Sequence, residues 1–240
     1  MEKRNDRMIY IKRSIKTLFK HSNMRSIFSL VKYFPEWLRY ITRNSNSIAD
    51  KIPWITFSAI DFLKKISHSE MHIFEYGSGG STFFWASRVK HITSVEHDKS
   101  WFEKIKMELA EQKITNVDYI LSAPYSIPEV GKKQFQVATD YISSDESYNG
   151  KSFEAYVKTI DNFQDEHFDV IIIDGRARPS CILHSQKKLK KGGYLVVDNS
   201  ERQYYLSGFD LKNWQSWEFF GPVPYDYNFS KTNIFRKPGL

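Results

Sequence analysis

Between residues 72 and 198 the chain repeats a pattern that few folds can satisfy. Short apolar runs of strand length (His72–Tyr76, His91–Glu96, Val117–Leu121, 169–174 and 194–198) alternate with stretches of helical periodicity. The clearest helical stretch is 99–113, where Trp101, Phe102, Ile105 and Leu109 recur at three- and four-residue spacing. Strands separated by helices of this length indicate βαβ units, hence a parallel sheet with helices on both faces. The continuously apolar run 170–173 suits a central strand buried on both sides. The pattern breaks at the end, where runs 214–220 and 232–235 are joined by a Gly/Pro/Asn-rich connection with no helix. These two predict an antiparallel pair closing a seven-stranded, mostly parallel sheet.

Charge divides the chain differently. Of 240 residues, 35 are Lys or Arg and 28 Asp or Glu, but residues 1–50 hold 11 of the basic and four of the acidic ones. Residues 51–240 are therefore electrically balanced. The expected organisation is a basic amphipathic helical extension, 1–50, ahead of a neutral catalytic or binding domain, 51–240. A protein that coats DNA is not expected. The single Cys181 excludes a disulfide framework and a Cys-built zinc site and fits a reducing, cytoplasmic setting. No run is apolar enough to span a bilayer, and the interrupted basic N-terminus does not resemble a secretory signal.

Within the extension, residues 8–20 read as an amphipathic helix. Met8, Ile11, Ile15, Leu18 and Phe19 form one face, beside a stripe of Lys12, Lys16 and Lys20. The series Ile27, Val31 and Phe34 runs to Pro35, which is expected to start a new short helix, and 44–47 reads as a linker. Pro53 is expected to open a further helix. This layout suits a cap over the site, a homodimer contact, or a peripheral foothold of residues 8–20 on an anionic membrane, which would be the inner membrane surface.

Glu75-Tyr76-Gly77-Ser78-Gly79-Gly80-Ser81-Thr82 joins the first strand to the first helix of the sheet. Such glycines let backbone approach a ligand and offer amides at a helix N-terminus. Alone, the loop is equally a tight turn with Ser81 or Thr82 as helix cap. Glu96 ends the second strand 21 residues after Glu75, where a carboxylate can accept both ribose hydroxyls of a nucleoside. A nicotinamide dinucleotide and S-adenosyl-L-methionine both fit that geometry. Thr82 stands where a dinucleotide loop needs a small residue, and Glu75 suits a cationic methionine moiety better than two phosphates.

Glu75-x-Gly-x-Gly, Glu96, the strand ending at Asp174, the Gly192-Gly193 turn and the terminal strand pair together resemble class I S-adenosylmethionine-dependent methyltransferases, over roughly 53–237. The stretches 74–82, 94–98, 171–178 and 198–202 are similar to a bacterial group associated with surface-polysaccharide genes. The resemblance implies a Rossmann-like fold. It places Glu75, Gly77, Ser78 and Gly79 at the methionine end, Glu96 on the ribose, and His97 and Asp98 beside the adenine. The third strand departs from it, ending Leu121-Ser122-Ala123-Pro124 without the acidic residue many relatives carry.

Asp174-Gly175-Arg176-Ala177 follows the fourth strand in place of the Asn/Asp-Pro-Pro-aromatic run of amine methylation, which favours an oxygen acceptor. A hydroxyl acceptor must lose a proton, to a base or beside a metal. Asp174, Asp198 and Asn199 end successive strands and resemble the Mg2+ site of catechol-type O-methyltransferases; the plain alternative is a helix cap and a lone base. Asp174, Arg176 and Arg178 are the candidate catalytic set. Arg176, Arg178 and Arg202 either clamp an anionic acceptor or balance the carboxylates. The stretch 123–151, with Tyr141, Tyr148 and Gly150, is long enough for a lid. The favoured activity is O-methylation of a sugar, glycan or other hydroxylated small molecule. Alternatives are an RNA or protein methyltransferase docking through the basic N-terminus, a non-catalytic nucleoside-binding module, and a dehydrogenase.

Overall fold

The computed structural model describes residues 6–20, 24–128 and 133–239, without the side chains of 18–20 and 24–26. In chain order the helices are α1 (Asp6–Lys20), α2 (Met24–Thr42), α3 (Ser47–Asp50), α4 (Phe57–Ile66), α5 (Gly80–Ala86), α6 (Lys99–Glu111), α7 (Glu154–Lys158) and α8 (Arg178–Lys188). The main strands are β1 (His72–Tyr76), β2 (His91–Glu96), β3 (Val117–Leu121), β6 (Phe168–Ile173), β7 (Leu189–Val197), β8 (Gln215–Gly221) and β9 (Ser230–Arg236). They form one sheet in the order β3-β2-β1-β6-β7-β9-β8. The first five are parallel, and β9 runs antiparallel to both β7 and β8. The expected seven-stranded architecture is the one observed. A ribbon of β4 (Tyr125–Ser126) and β5 (Lys151–Ser152) adds a small second sheet inside the long loop.

Alternation along the strands separates two cores. Ile73, Ile92, Val170, Ile172, Val196 and Ile234 pack with residues of α2, α4 and α5. Phe74, Tyr76, Val95, Ile171, Ile173, Leu195 and Val197 pack with α7 and α8 on the other face. Each fully buried Ile of β6 contributes about 1.5–3 kcal/mol, so the run is an anchor for both layers. Sequential strands wind outward from β1 in one direction and from β6 in the other. Their carboxyl ends therefore diverge at the β1/β6 junction, where open sheets of this kind bind ligands.

The N-terminal segment corrects several expectations. Pro35 does not begin a helix but lies within α2. It and Val31, whose carbonyl it leaves unpaired, face outward where water can bind, while buried Tyr33, Trp37 and Tyr40 hold the inner side in line. In α1 the apolar stripe of Met8, Ile11 and Ile15 lies outward, all three side chains being exposed. Leu18 and Phe19 lie outside the described side chains. Tyr10 is the residue that turns inward, stacking near Phe34 and Trp37 (4.8 and 4.7 Å) and donating its hydroxyl to Leu30 O at 2.6 Å. Residues 44–47 are not a bare linker, because Asn46 Oδ1 caps α3 by accepting from Ile48 N and Ala49 N, both at 3.1 Å. Pro53 precedes a bend at Trp54 and Ile55, and α4 starts only at Phe57. Among the described residues no helix is long and apolar enough to cross a membrane.

Candidate functional site

A cavity of about 630 Å3 opens at the carboxyl ends of β1, β2, β6 and β7. Its near wall is the loop between β1 and α5. Gly77 has φ +89°, a backbone region that disfavours side chains, and a Cβ there would lie 2.9 Å from Gly175 Cα. The loops after β1 and β6 thus meet backbone to backbone. On the other side, an added Cβ at Gly80 would strike Ser47 O and Ile52 O, so α3 is packed hard against the start of α5.

Beneath this loop lies Glu75, wholly buried and absent from the cavity wall. Its Oε2 accepts from Thr82 Oγ1 (2.6 Å) and Ser94 Oγ (2.7 Å), and Thr82 Oγ1 in turn accepts from Gly79 N (3.1 Å). Glu75 is therefore the loop's anchor, not a residue lining it as expected. Burial pushes its carboxyl up to about 7, against the pull of the Ser81, Thr82 and Ser94 hydroxyls. Its Oε1 is buried without a hydrogen-bond partner.

Glu96 has the opposite environment. Oε2 accepts from Ser78 N (3.1 Å) and Ser78 Oγ (2.8 Å), and Oε1 from His97 N (2.8 Å) and Asp98 N (2.9 Å). His97 Nδ1 is also 2.8 Å from Oε1, close enough for attraction but without hydrogen-bond alignment. Burial raises this carboxyl, but His97 and the backbone donors outweigh it and hold it below the ordinary range. Glu96, Gly77, Ser78 and Gly79 all reach the cavity wall.

Asp98 also reaches the wall, but its Oδ1 caps α6, accepting from Trp101 N (2.8 Å) and Ser100 Oγ (2.6 Å). Two residues that the sequence reading passed over complete this half. Trp101 donates Nε1–H to Ser78 O at 2.9 Å, and the Tyr119 hydroxyl lies 2.6 Å from Ser78 Oγ, its ring stacked on Phe102. Trp101 could have been found, since it sits three residues beyond a helix-capping Asp. Tyr119 could not, because only the β2–β3 register brings it opposite Ser94. From the long loop, Tyr148 packs edge-on to His97 at 5.3 Å and joins the wall, whereas Tyr141 turns away to His184. Residues 129–132 of the expected lid lie outside the described residues.

At the far end, Asp174 and Asp198 terminate β6 and β7, with Arg178 between them. The guanidinium donates Nε–H to Gly175 O (3.0 Å), Nη1–H to Asp198 O, and Nη2–H to Asp174 O (3.2 Å) and Oδ1 (3.0 Å). All three nitrogens are thus committed to the protein and the residue is buried, so Arg178 is a strut and not an acceptor clamp. Arg176 stays on the wall, paired with Asp145 at 2.9 Å, whereas Arg202 donates to Tyr205 in a separate hollow.

Asp198 Oδ1 accepts from Thr232 Oγ1 at 2.7 Å. Burial and then the neighbouring Asp174 push its carboxyl up to about 8, against Arg178. Asp174 is likewise raised by burial, with Arg178 and Arg176 pulling down, though its side chain remains 26% exposed. The expected magnesium set of Asp174, Asp198 and Asn199 does not fit a divalent ion. A fixed cation already lies between the two strand ends, Asp198 is turned to Thr232, and Asn199 Nδ2 donates to Ser230 Oγ at 3.0 Å. Mg2+ needs an open octahedron of oxygens, and among the described residues no three His, Cys, Asp or Glu side chains cluster to hold a metal.

The outer rim is Trp54, Glu201 and the segment 223–230. The N-terminal helices hold this segment. Trp37 Nε1–H donates to Asp226 O (2.8 Å), the Tyr227 hydroxyl to Asp6 Oδ1 (3.0 Å), and Tyr10 lies edge-on to Phe229 at 5.1 Å. At the other side, the Tyr225 hydroxyl donates to Asp50 Oδ2 at 2.6 Å.

No family model and no curated protein matches the chain. Solved structures do. The O-methyltransferase from Bacillus cereus, in complex with SAH, superposes with TM-score 0.54 at 13% identity, covering 84% of this chain and 96% of that one. A methyltransferase from Geobacter sulfurreducens gives 0.52 at 11%, covering 87% and 96%. A protein provisionally assigned as an rRNA methylase, from Clostridium thermocellum, gives 0.52 at 13%, covering 79% and 99%. At these identities the likeness is one of fold: the sheet is that of Rossmann-like methyltransferases.

Proposed function

We propose that this chain transfers a methyl group from S-adenosyl-L-methionine to a hydroxyl of a sugar, glycan or similar small molecule. The observation that carries the reading is a single cavity joining the Gly77–Gly79 loop and Glu96 at one end to Asp174 at the other. The residues suit the donor. A Cβ at Gly79 would meet nothing within 4 Å, which leaves room for a ligand, and buried Glu75 Oε1 under the loop lacks a partner. The wall also carries six carboxylates against two guanidiniums, which favours a cationic sulfonium.

When bound, the donor supplies a sulfonium-activated methyl carbon. The chain's own task is alignment and proton removal, since an in-line displacement gains chiefly from positioning. Glu96 would take the ribose hydroxyls, with Ser78 Oγ turning toward Tyr119. Asp174 would accept the acceptor's hydroxyl proton on Oδ2, Oδ1 being held by Arg178, as the acceptor oxygen forms its bond to the methyl carbon and the carbon–sulfur bond breaks. Its raised affinity for protons suits that role near neutral pH. Trp54 and the Asp226/Asn228 rim offer the ring face and polar edges that bind hydroxylated rings.

The same acidic wall disfavours a phosphate backbone, so RNA is the weaker acceptor. Calorimetry with S-adenosylhomocysteine and with NAD, followed by methylation assays on nucleotide sugars, glycans and RNA, tests the reading. Binding of the former alone and methylation of a sugar hydroxyl, undiminished by chelator, is expected. Binding of NAD instead would make the protein a dehydrogenase; S-adenosylhomocysteine binding with no acceptor turned over would make it a binding module.

A further inference from the structure

The N-terminal helices present outward a surface unlike the rest of the molecule. On α1 the exposed positions are Arg7, Met8, Ile11, Lys12, Ile15 and Lys16, recurring every fourth residue. On α2 they include Ile27, Phe28, Val31, Lys32, Pro35 and Arg39. Ile11, Phe28 and Val31 are 55%, 67% and 74% exposed, large values for side chains that folding normally hides. Neither stripe contains an acidic residue. Of the acids of this segment, Asp6 accepts from Tyr227 and Asp50 from Tyr225, while Glu36 is half-buried at the edge of the α2 stripe, one turn from Lys32. Lys32 is paired with Asp61 on α4.

We infer that this face docks on an anionic lipid bilayer. Large apolar side chains interleaved with lysine and arginine, with no acid among them, match a surface of acyl chains below anionic headgroups. Each basic side chain near such a surface strengthens binding about fivefold, and the inserted apolar side chains multiply that. A second copy of the chain is the poorer occupant. A two-fold contact would set this net-basic face against itself and oppose its excess of like charge. The docking face and the cavity are also mechanically joined, because the same two helices carry the contacts from Tyr10, Trp37 and Asp6 to the rim 226–229. Docking would bring the acceptor side of the cavity close to the membrane.

The test uses the full chain and vesicles of phosphatidylcholine with or without phosphatidylglycerol, read by co-sedimentation. The protein is expected to pellet with the anionic vesicles at low salt, to be released by high salt, and to ignore phosphatidylcholine alone. Phe28→Ser with Val31→Ser is expected to weaken vesicle binding about tenfold or more, with S-adenosylhomocysteine affinity and thermal midpoint retained. Absence of pelleting at low salt overturns the inference. So does undiminished binding by the double variant, or a dimer in sedimentation equilibrium that this variant dissociates. Vesicle binding needs no methyl acceptor, so failure here is distinguishable from failure of the proposed activity.

Discussion

Two ends of one cavity treat their carboxylates in opposite ways. Glu96, at the end of β2, is met by three backbone amides and a serine hydroxyl and is held below the ordinary range. Asp198, just after β7, meets one hydroxyl and the Asn199 backbone beside a neighbouring acid and is pushed up to about 8. Glu75, met only by hydroxyls, is intermediate in proton affinity, at about 7. All three are buried. The kind of donors each carboxylate meets therefore decides where charge can stay: the Glu96 end keeps a fixed anion, and the end formed by Asp174 and Asp198 keeps acids able to hold a proton.

The contrast breaks most visibly at Asp174. Asp174→Asn keeps the hydrogen bond to Arg178 but cannot take a proton, so turnover should fall by about 10²–10⁴-fold while S-adenosylhomocysteine affinity stays within about twofold. A comparable loss of affinity would instead place Asp174 on the cofactor. Next in size, Gly77→Val puts a branched side chain at φ +89° against Gly175, and calorimetry should show roughly 100-fold weaker cofactor binding. Glu96→Gln retains the shape but loses the charge and one acceptor, and affinity should fall about tenfold.

The smallest effect sharpens the comparison through pH. An acid whose folded pKa is raised binds more protons in the folded state between its unfolded and folded values. Stability is therefore lost as pH rises through that window and is constant above it. For Asp198 the window runs from the ordinary Asp value of 3.8 to about 8. Asp198→Asn, which still accepts from Thr232, should gain stability relative to the parent across that range, by about 1–3 kcal/mol at pH 8. Urea melts at pH 5 and pH 8 measure it, and a difference that shrinks with pH would reverse the assignment.

What could be read from sequence follows from how local the cause is. The strand at 168–173 announced itself because burial on both faces leaves an unbroken apolar run, and the 77–79 loop because glycine marks tight backbone. The loop end of the cavity was legible to that extent. Arg178 was not, since three residues from Gly175 it could face solvent or fold back between two strand ends, and only β7 beside β6 selects the second. Which stripe of α1 packs inward was not legible either. Met8, Ile11 and Ile15 do recur at helical spacing, but it is Tyr10 that meets Phe34, Trp37 and Phe229, and periodicity says nothing about which stripe meets a partner.

Cys181 illustrates a consequence of the packing around that strut. Its thiol is fully buried on α8, donates weakly to Arg176 O at 3.3 Å, and is pushed up by burial. It is also the chain's one cysteine. A thiol reagent can therefore modify the folded protein only when α8 lifts from the loop that carries Arg176. The rate of that modification is a built-in clock for opening of the Arg176 end of the cavity, readable without an introduced label. Comparing it with and without S-adenosylhomocysteine would time how far filling one end of the cavity slows the motion of the other.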